Sequence, residues 1–302
     1  MKFAMSLALL ATVLALTPRF AAAAEEADKL GGVLVAGDDW QVAAEGLNFT
    51  DATSADADGN LYFSDLRAKP AVIFKLSPDG KQTKVAEAGM SGTKMGPDGK
   101  LYGCGGGKVM SFDLSDGKAT LVADGMQPND LVVSHKGDIY ITETGKKQVT
   151  LIDPKTGKKT PVDIGINKPN GIALSPDQKL LYVSDYGGLN VWSFTIQPDG
   201  TLTDKKAAMT MKAPEKKPEV AGGDGMTVDT QGRAYVCSAL GLQIFDAKGT
   251  LLGILPKPQE GPLTNVALAG PDLQYLYVSC GTKVFKRKVQ AKAVLFYKEP
   301  LK

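Results

Sequence analysis

The stretch GGDGMTVDTQGRAYVCS, Gly222 to Ser238, reads as strand, turn, strand. Met226 and Val228, then Tyr235 and Cys237, sit at alternate positions as half-buried strands require. Gln231-Gly232 falls between the two runs, where a hairpin needs a residue tolerant of positive φ. One residue resists that reading. Asp224 stands eight residues before the turn glycine, at the start of the first strand, where a core-facing strand would begin with an apolar side chain. The fold follows from whether the rest of the chain repeats the hairpin, and the function from whether it repeats the polar offset.

The hairpin recurs. A turn glycine followed two or three residues later by an apolar-Tyr pair occurs at Gly59 with Leu61-Tyr62, Gly99 with Leu101-Tyr102, Gly137 with Ile139-Tyr140 and Gly232 with Ala234-Tyr235. Leu181-Tyr182 and Leu276-Tyr277 keep the tyrosine without the glycine. The tyrosines lie 40, 38, 42, 53 and 42 residues apart, and the long interval holds the polar, proline-bearing insert Lys212 to Gly223. A period of about forty residues marks a repeat architecture. Each of the first five units has a second turn, at Gly80, Gly117, Gly157, Gly200 and Gly249, flanked by short strand-like runs, which gives four strands per unit. The sixth unit lacks that turn, while an orphan strand-like run, Trp40 to Leu47, precedes the first unit. A ring closes if the orphan strand completes the last unit, so the expected fold is an all-β, six-bladed β-propeller closed by an N-terminal strand. There is no Trp-Asp or kelch-type double-glycine signature.

Composition bounds the address and the partners. Lys2, the apolar run Phe3 to Leu16, and Ala22-Ala23-Ala24 before Glu25-Glu26 predict a signal peptide over 1–24, leaving 25–302 as one propeller domain. The run is too short to span a bilayer, so no membrane anchor is expected after its removal. The remainder carries 33 basic and 33 acidic residues, a balance that argues against nucleic-acid binding. The expectation is a periplasmic or secreted monomer with a small-molecule substrate. Cys104, Cys237 and Cys280 are too few for a disulfide framework. Cys237 and Cys280 could pair or stay as buried thiols. The insert reads equally as a lid or as a plain surface loop.

The polar offset recurs as well. Eight residues before each turn position stand Asp51, Ser91, Asn129, Asn170, Asp224 and Asn265. Inner strands line the axis of a propeller, so these positions converge from six directions. Taken singly, Asn170-Gly171 or Asn129-Asp130 is an ordinary turn pair. Together, two carboxylates and several amide oxygens describe a hard-cation site, suited to Ca²⁺ first, with Mg²⁺, Mn²⁺ or Zn²⁺ as alternatives. The ion could brace the channel or keep open positions for catalysis.

The stretches DADGNLYFSD (Asp56 to Asp65), QPNDLVV (Gln127 to Val133), KPNGIALSPD (Lys168 to Asp177), GDGMTVDTQG (Gly223 to Gly232) and TNVALAGPD (Thr264 to Asp272) resemble the senescence marker protein, gluconolactonase and lactonase-like family of six-bladed propellers. The resemblance spans essentially the whole mature length. It implies a metal held by Asp51, Asn129, Asn170 and Asp224, with Asp224 also the catalytic proton acceptor. It implies metal-assisted hydrolysis of a small cyclic ester, an aldonolactone foremost. Ser91, Thr93, Lys94 and Asn265 are the expected substrate contacts. The chain departs from the family at Thr50-Asp51-Ala52, where a Glu-Gly-Pro phrase is usual, and at Ser91-Gly92, where Asn-Gly is frequent. Glu45 lies six residues too early to replace the missing glutamate. A phosphoester or organophosphate hydrolase, and a binding propeller with a structural ion, are the competing readings. His135, the single histidine, falls in a turn, and no Gly-x-Ser-x-Gly phrase supports a serine nucleophile.

Overall fold

The computed structural model describes Leu30 and residues 32–302; the signal segment expected over 1–24 lies outside the described residues. Six four-stranded antiparallel sheets are arranged as the blades of a propeller. Blade 1 runs from Thr50–Ala55 to Gln82–Ala86, blade 2 from Gly92–Met95 to Ala119–Asp124, and blade 3 from Leu131–Val133 to Lys159–Ile164. Blade 4 runs from Pro169–Leu174 to Leu202–Thr210 and blade 5 from Met226–Val228 to Leu251–Leu255. Blade 6 joins Leu263–Ala269, Tyr275–Cys280 and Lys283–Lys288 to the N-terminal strand Gln41–Ala44. That strand pairs antiparallel with Lys283–Lys288, Gln41 facing Lys286, so the ring closes as the sequence requires.

The repeated tyrosine is the pin of each blade. All six are buried, at 9% exposure or less. In three blades the phenol donates to the aspartate of the hairpin turn: Tyr62 to Asp56 at 2.9 Å, Tyr102 to Asp98 at 3.1 Å and Tyr235 to Asp229 at 2.8 Å. The ring packs between blades while the hydroxyl fixes the turn, as an aromatic with one polar end allows.

The hairpin turns all lie at one end of the channel, and the C-terminal segment crosses that end. Thr230 N donates to Lys292 O (3.0 Å), Ala293 N to Leu273 O (3.1 Å), Gln178 Nε2 to Phe296 O (2.7 Å) and Leu301 N to Pro176 O (2.9 Å). Phe296, 7% exposed, packs into the core. Beneath this strap a cavity of about 40 Å³ remains, lined by Thr53, Lys94, Ala267 and Phe296 among others. The channel is therefore covered at the turn end, and the other end carries its mouth. Among the described residues, no helix is long and apolar enough to cross a membrane.

Candidate functional site

At the mouth end each inner strand begins with a β-bulge, two of its residues facing one residue of the second strand. In blade 3, Asn129 N donates to Thr142 O (2.8 Å) while Thr142 N donates to Asp130 O (3.0 Å). In blade 5, Asp224 N donates to Cys237 O (2.8 Å) and Cys237 N to Gly225 O (3.0 Å). Register shifts mark the same feature between Asp51 and Ser54, Pro169 and Ile172, and Leu263 and Asn265. A bulge re-aims the side chain it carries.

The first bulge residues of blades 1 to 5 are Asp51, Ser91, Asn129, Asn170 and Asp224, the positions picked out by the sequence offset. Blade 6 differs. There Thr264 occupies the first position and Asn265 the second, because the blade 6 hairpin is lengthened by the turn Pro271–Leu273 and the count back falls one residue late. The second positions elsewhere are Ala52, Gly92, Asp130, Gly171 and Gly225. Three of them are glycines on which the neighbouring blade presses. A Cβ on Gly92 would lie 2.4 Å from Asp130 Oδ1, and one on Gly225 would lie 2.5 Å from Asn265 Cγ. Asp130 and Asn265 thus lie sideways, each over the glycine of the preceding blade.

Asn265 is 2% exposed; its Oδ1 accepts from Thr53 Oγ1 (2.9 Å) and Val266 N (3.0 Å), and its Nδ2 donates to Asp51 Oδ1 (3.3 Å). Thr93 is fully buried, donating to Ala52 O and lying 3.1 Å from Ser54 Oγ. Both side chains hydrogen-bond around the Asp51 bulge. Ser91 stays partly exposed, with Oγ donating to Cys104 O (3.2 Å). Lys94 lines the cavity beneath the strap, its Nζ donating to Thr53 O (3.2 Å). Glu45 is exposed and pairs with Lys283 at 2.9 Å, outside the site.

The electrostatics are those of crowded carboxylates. Asp51 Oδ1 accepts Ala52 N (2.8 Å) and Asp224 Oδ1 accepts Gly225 N (3.0 Å). Burial pushes the Asp51 carboxyl up to about 7, Asp130 adding repulsion while Ala52 N, Asn265 and Lys94 pull it back. Burial, and then the charge of Asp51, hold Asp224 well above the usual range, against hydrogen bonds from Gly225 N and the Asn170 side chain. Asp130, 2% exposed, is raised by burial and opposed by Lys94; its Oδ2 is buried without a partner among the described residues. Three carboxylates thus face one ammonium.

Backbone carbonyls of two site residues are tied to the preceding blade: Thr142 Oγ1 donates to Asn170 O (2.6 Å) and Ser184 Oγ to Asp224 O (2.8 Å). Three acids that the sequence reading passed over set the approach of the strands. Asp65 accepts Phe49 N (3.0 Å), Glu143 accepts Gln127 N (2.9 Å) and Asp185 accepts Lys168 N (2.9 Å). Each held N–H is two residues before Asp51, Asn129 or Asn170, and each acid stands three residues after its blade tyrosine, so the signal was present in the sequence. Hydrogen bonds hold the Asp65 and Glu143 carboxyls below the usual range although burial opposes them.

Among the described residues, no three His, Cys, Asp or Glu side chains gather as a metal cluster. A cation here would lean on amide oxygens beside the Asp51 and Asp224 carboxylates. The donor set fits that role: it is all oxygen, its carboxylates repel one another in a half-buried space, and Lys94 balances only one of them. The three cysteines are buried free thiols, so Cys237 and Cys280 are not bridged. The insert 212–223 is clamped at its start by Gln243, which accepts Lys212 N (2.9 Å) and donates to Lys212 O (2.7 Å); its middle, 215–219, is exposed.

The sequence pattern of the SMP-30/Gluconolactonase/LRE-like region matches residues 49–282. A gluconolactonase of Zymomonas mobilis is 28% identical over 286 residues, covering 82% of this chain and 80% of that protein. Among solved structures, a gluconolactonase of Xanthomonas campestris superposes with a TM-score of 0.74 at 24% identity, covering 86% of this chain and 92% of that one. The calcium-binding protein regucalcin of Agrobacterium tumefaciens does so with a TM-score of 0.71 at 18% identity, covering 86% and 98%. Both structural likenesses are of fold.

Proposed function

Because the chain belongs to the SMP-30/Gluconolactonase/LRE-like family, we propose that it is a lactone hydrolase, acting on sugar lactones of the aldonolactone kind with one bound divalent cation after export to the periplasm or the medium. The observation that carries the reading is the pair Asp51 and Asp224, two mutually repelling carboxylates brought to one channel by bulges in blades 1 and 5.

Asp51, Asn129, Asn170 and Asp224 would hold the cation, with Ca²⁺ favoured by the oxygen donors. When bound, the cation supplies positive charge that polarises the ester carbonyl and makes water a better nucleophile. Asp224 accepts a proton from the attacking water and returns it to the departing ring oxygen as the ester opens to a hydroxy acid. Asn129 and Asn170 contribute neutral oxygens and leave the positive charge of the site undiminished. Ser91, partly exposed at the same level, meets a substrate hydroxyl.

The test is hydrolysis of a sugar-lactone panel by chelated mature protein, with Ca²⁺, Mg²⁺, Mn²⁺ or Zn²⁺ restored singly, beside Asp224→Asn. Ion-dependent turnover lost in the variant is the expected result. Tight ion binding with no lactone turned over would overturn the assignment and favour a binding propeller or another esterase.

A further inference from the structure

A second concavity opens on the mouth face, between blades 6 and 1. It has a volume of about 400 Å³ and is lined by Asn48, Phe49, Arg67, Gln259, Glu260 and Thr282 among others. It adjoins the channel site. Phe49 is two residues before Asp51, about 7 Å along an extended chain, and Gly281 O in its wall accepts both Thr50 N (2.9 Å) and Thr50 Oγ1 (3.2 Å).

Asn48, Arg67, Glu260 and Thr282 are exposed, and part of the wall that carries them is fixed by hydrogen bonds. The Asp65 carboxylate accepts Asn48 N (3.0 Å), Asn48 Nδ2 (2.9 Å), Phe49 N (3.0 Å) and Arg67 N (3.3 Å), fixing three lining residues through one group. On the facing wall Gln259 Nε2 donates to Cys280 O (2.7 Å) and Lys257 Nζ to Gly261 O (3.0 Å). The Arg67 guanidinium lies 4.6 Å over the Phe49 ring and, among the described residues, has no carboxylate partner. Its N–H edge, the Glu260 carboxylate and the Thr282 hydroxyl are not engaged by other described side chains. Donors and acceptors therefore both line this space of about 400 Å³. An anionic group would meet Arg67 but be repelled by Glu260, and a cation the reverse. Hydroxyl groups both donate and accept, so a neutral polyol satisfies both.

We propose that this pocket is a subsite for a second, uncharged sugar ring, and that the substrate of the channel site is an aldonolactone carrying a glycosyl substituent. The inference rests on the lactone-hydrolase reading for its chemistry, while the pocket can be tested without it.

The experiment compares kcat/KM for gluconolactone with that for cellobionolactone and maltobionolactone, in wild type, Arg67→Ala, Glu260→Ala and, as an outside control, Lys69→Ala. Calorimetric titration with cellobiose and maltose runs in parallel, and thermal melts check folding. The expected result is a preference for a disaccharide lactone that falls by about ten- to a hundredfold in Arg67→Ala, the loss for hydrogen bonds to a charged group, and is kept in Lys69→Ala. Equal kcat/KM for one- and two-ring lactones in wild type, or a preference surviving in both pocket variants, overturns the subsite. If wild type hydrolyses no lactone, the hydrolase reading fails and the titration decides: disaccharide binding lost in Arg67→Ala upholds the sugar pocket, and no binding overturns it.

Discussion

The carboxylate crowding in the channel predicts an ion-free protein that weakens as it is made more alkaline. Asp51 has its folded-state pKa raised to about 7, against about 3.9 for a free aspartate. Between those values the folded protein keeps a proton that the unfolded chain has lost. The Asp51 contribution is therefore most favourable at low pH and declines as pH rises from about 4 through about 7. Asp224 is displaced in the same direction. At about 1.36 kcal/mol per unit the ceiling for Asp51 is about 4 kcal/mol, and its residual water contact brings the working figure to about 2 kcal/mol. For a domain of this size that is a fall in Tm of about 4–8 °C. Asp65 and Glu143, whose pKa values are lowered, act on the acid side of the window and leave pH 5 to 8 to the raised pair. Bound cation has the opposite slope, because it requires the ionised carboxylates. The assay is thermal unfolding of chelated protein at pH 5 to 8, with and without saturating Ca²⁺, beside Asp51→Asn. Ion-free wild type should lose Tm with pH, the ion should restore more at pH 8 than at pH 5, and the variant, which keeps only Asp224 of the raised pair, should show both trends reduced. An ion-free Tm that is level or rising across this range, or an ion effect equal at both ends, would refute the reasoning.

Glu143→Ala removes the acceptor for Gln127 N, Thr150 Oγ1 and the 2.8 Å Lys146 pair; a loss of about 2–3 kcal/mol and weaker Ca²⁺ binding are expected, Glu143→Gln retaining most of both. Calorimetry and thermal melts measure this, and an effect no larger than that of Asp153→Ala at an exposed turn would count against a positioning role. Gly92→Ala would set a methyl against the Asp130 carboxyl and main chain, lowering stability by about 1–3 kcal/mol; an unchanged Tm would show that the Asp130 bulge yields freely. Truncation after Val294 removes the buried Phe296 and should cost about 3 kcal/mol, read by denaturant unfolding, whereas retention of full stability would show that the strap does not close the channel.

The fold was legible because a propeller repeats its hairpin. Tyr62, Tyr102, Tyr140, Tyr182, Tyr235 and Tyr277 announce the period, and each fills the same buried place. The site was legible only to within a residue. Counting back from the turn presumes hairpins of equal length, and the blade 6 hairpin is lengthened by Pro271–Leu273, so Asn265 was assigned to a position that Thr264 holds. Asn129-Asp130 reads as a turn pair because the bulge that sets both residues against Thr142 leaves no mark in the sequence, although Asp130 is a buried carboxyl. Asp65, Glu143 and Asp185 were visible as acids three places after a tyrosine, yet their work depends on a loop returning from the previous blade. The strap was not legible, since Phe296 and Leu301 carry no periodic signal and act through contacts more than a hundred residues away in sequence.

The bulge also explains how the channel tolerates its own charge. In an unbroken strand, successive side chains point to opposite faces, and an acid at the channel would have an outward neighbour unable to touch the next blade. The bulge turns the first residue toward the axis and lays the second across the seam. Asn265, the second residue of blade 6, consequently comes between the two acids, donating to Asp51 on one side and lying over Gly225, next to Asp224, on the other. An amide there is a neutral spacer with a donor to offer. A carboxylate in its place would make a fourth acid against Lys94 and would have no proton for Asp51 when ionised. The two charges stay on blades 1 and 5, separated by a blade whose contribution is neutral.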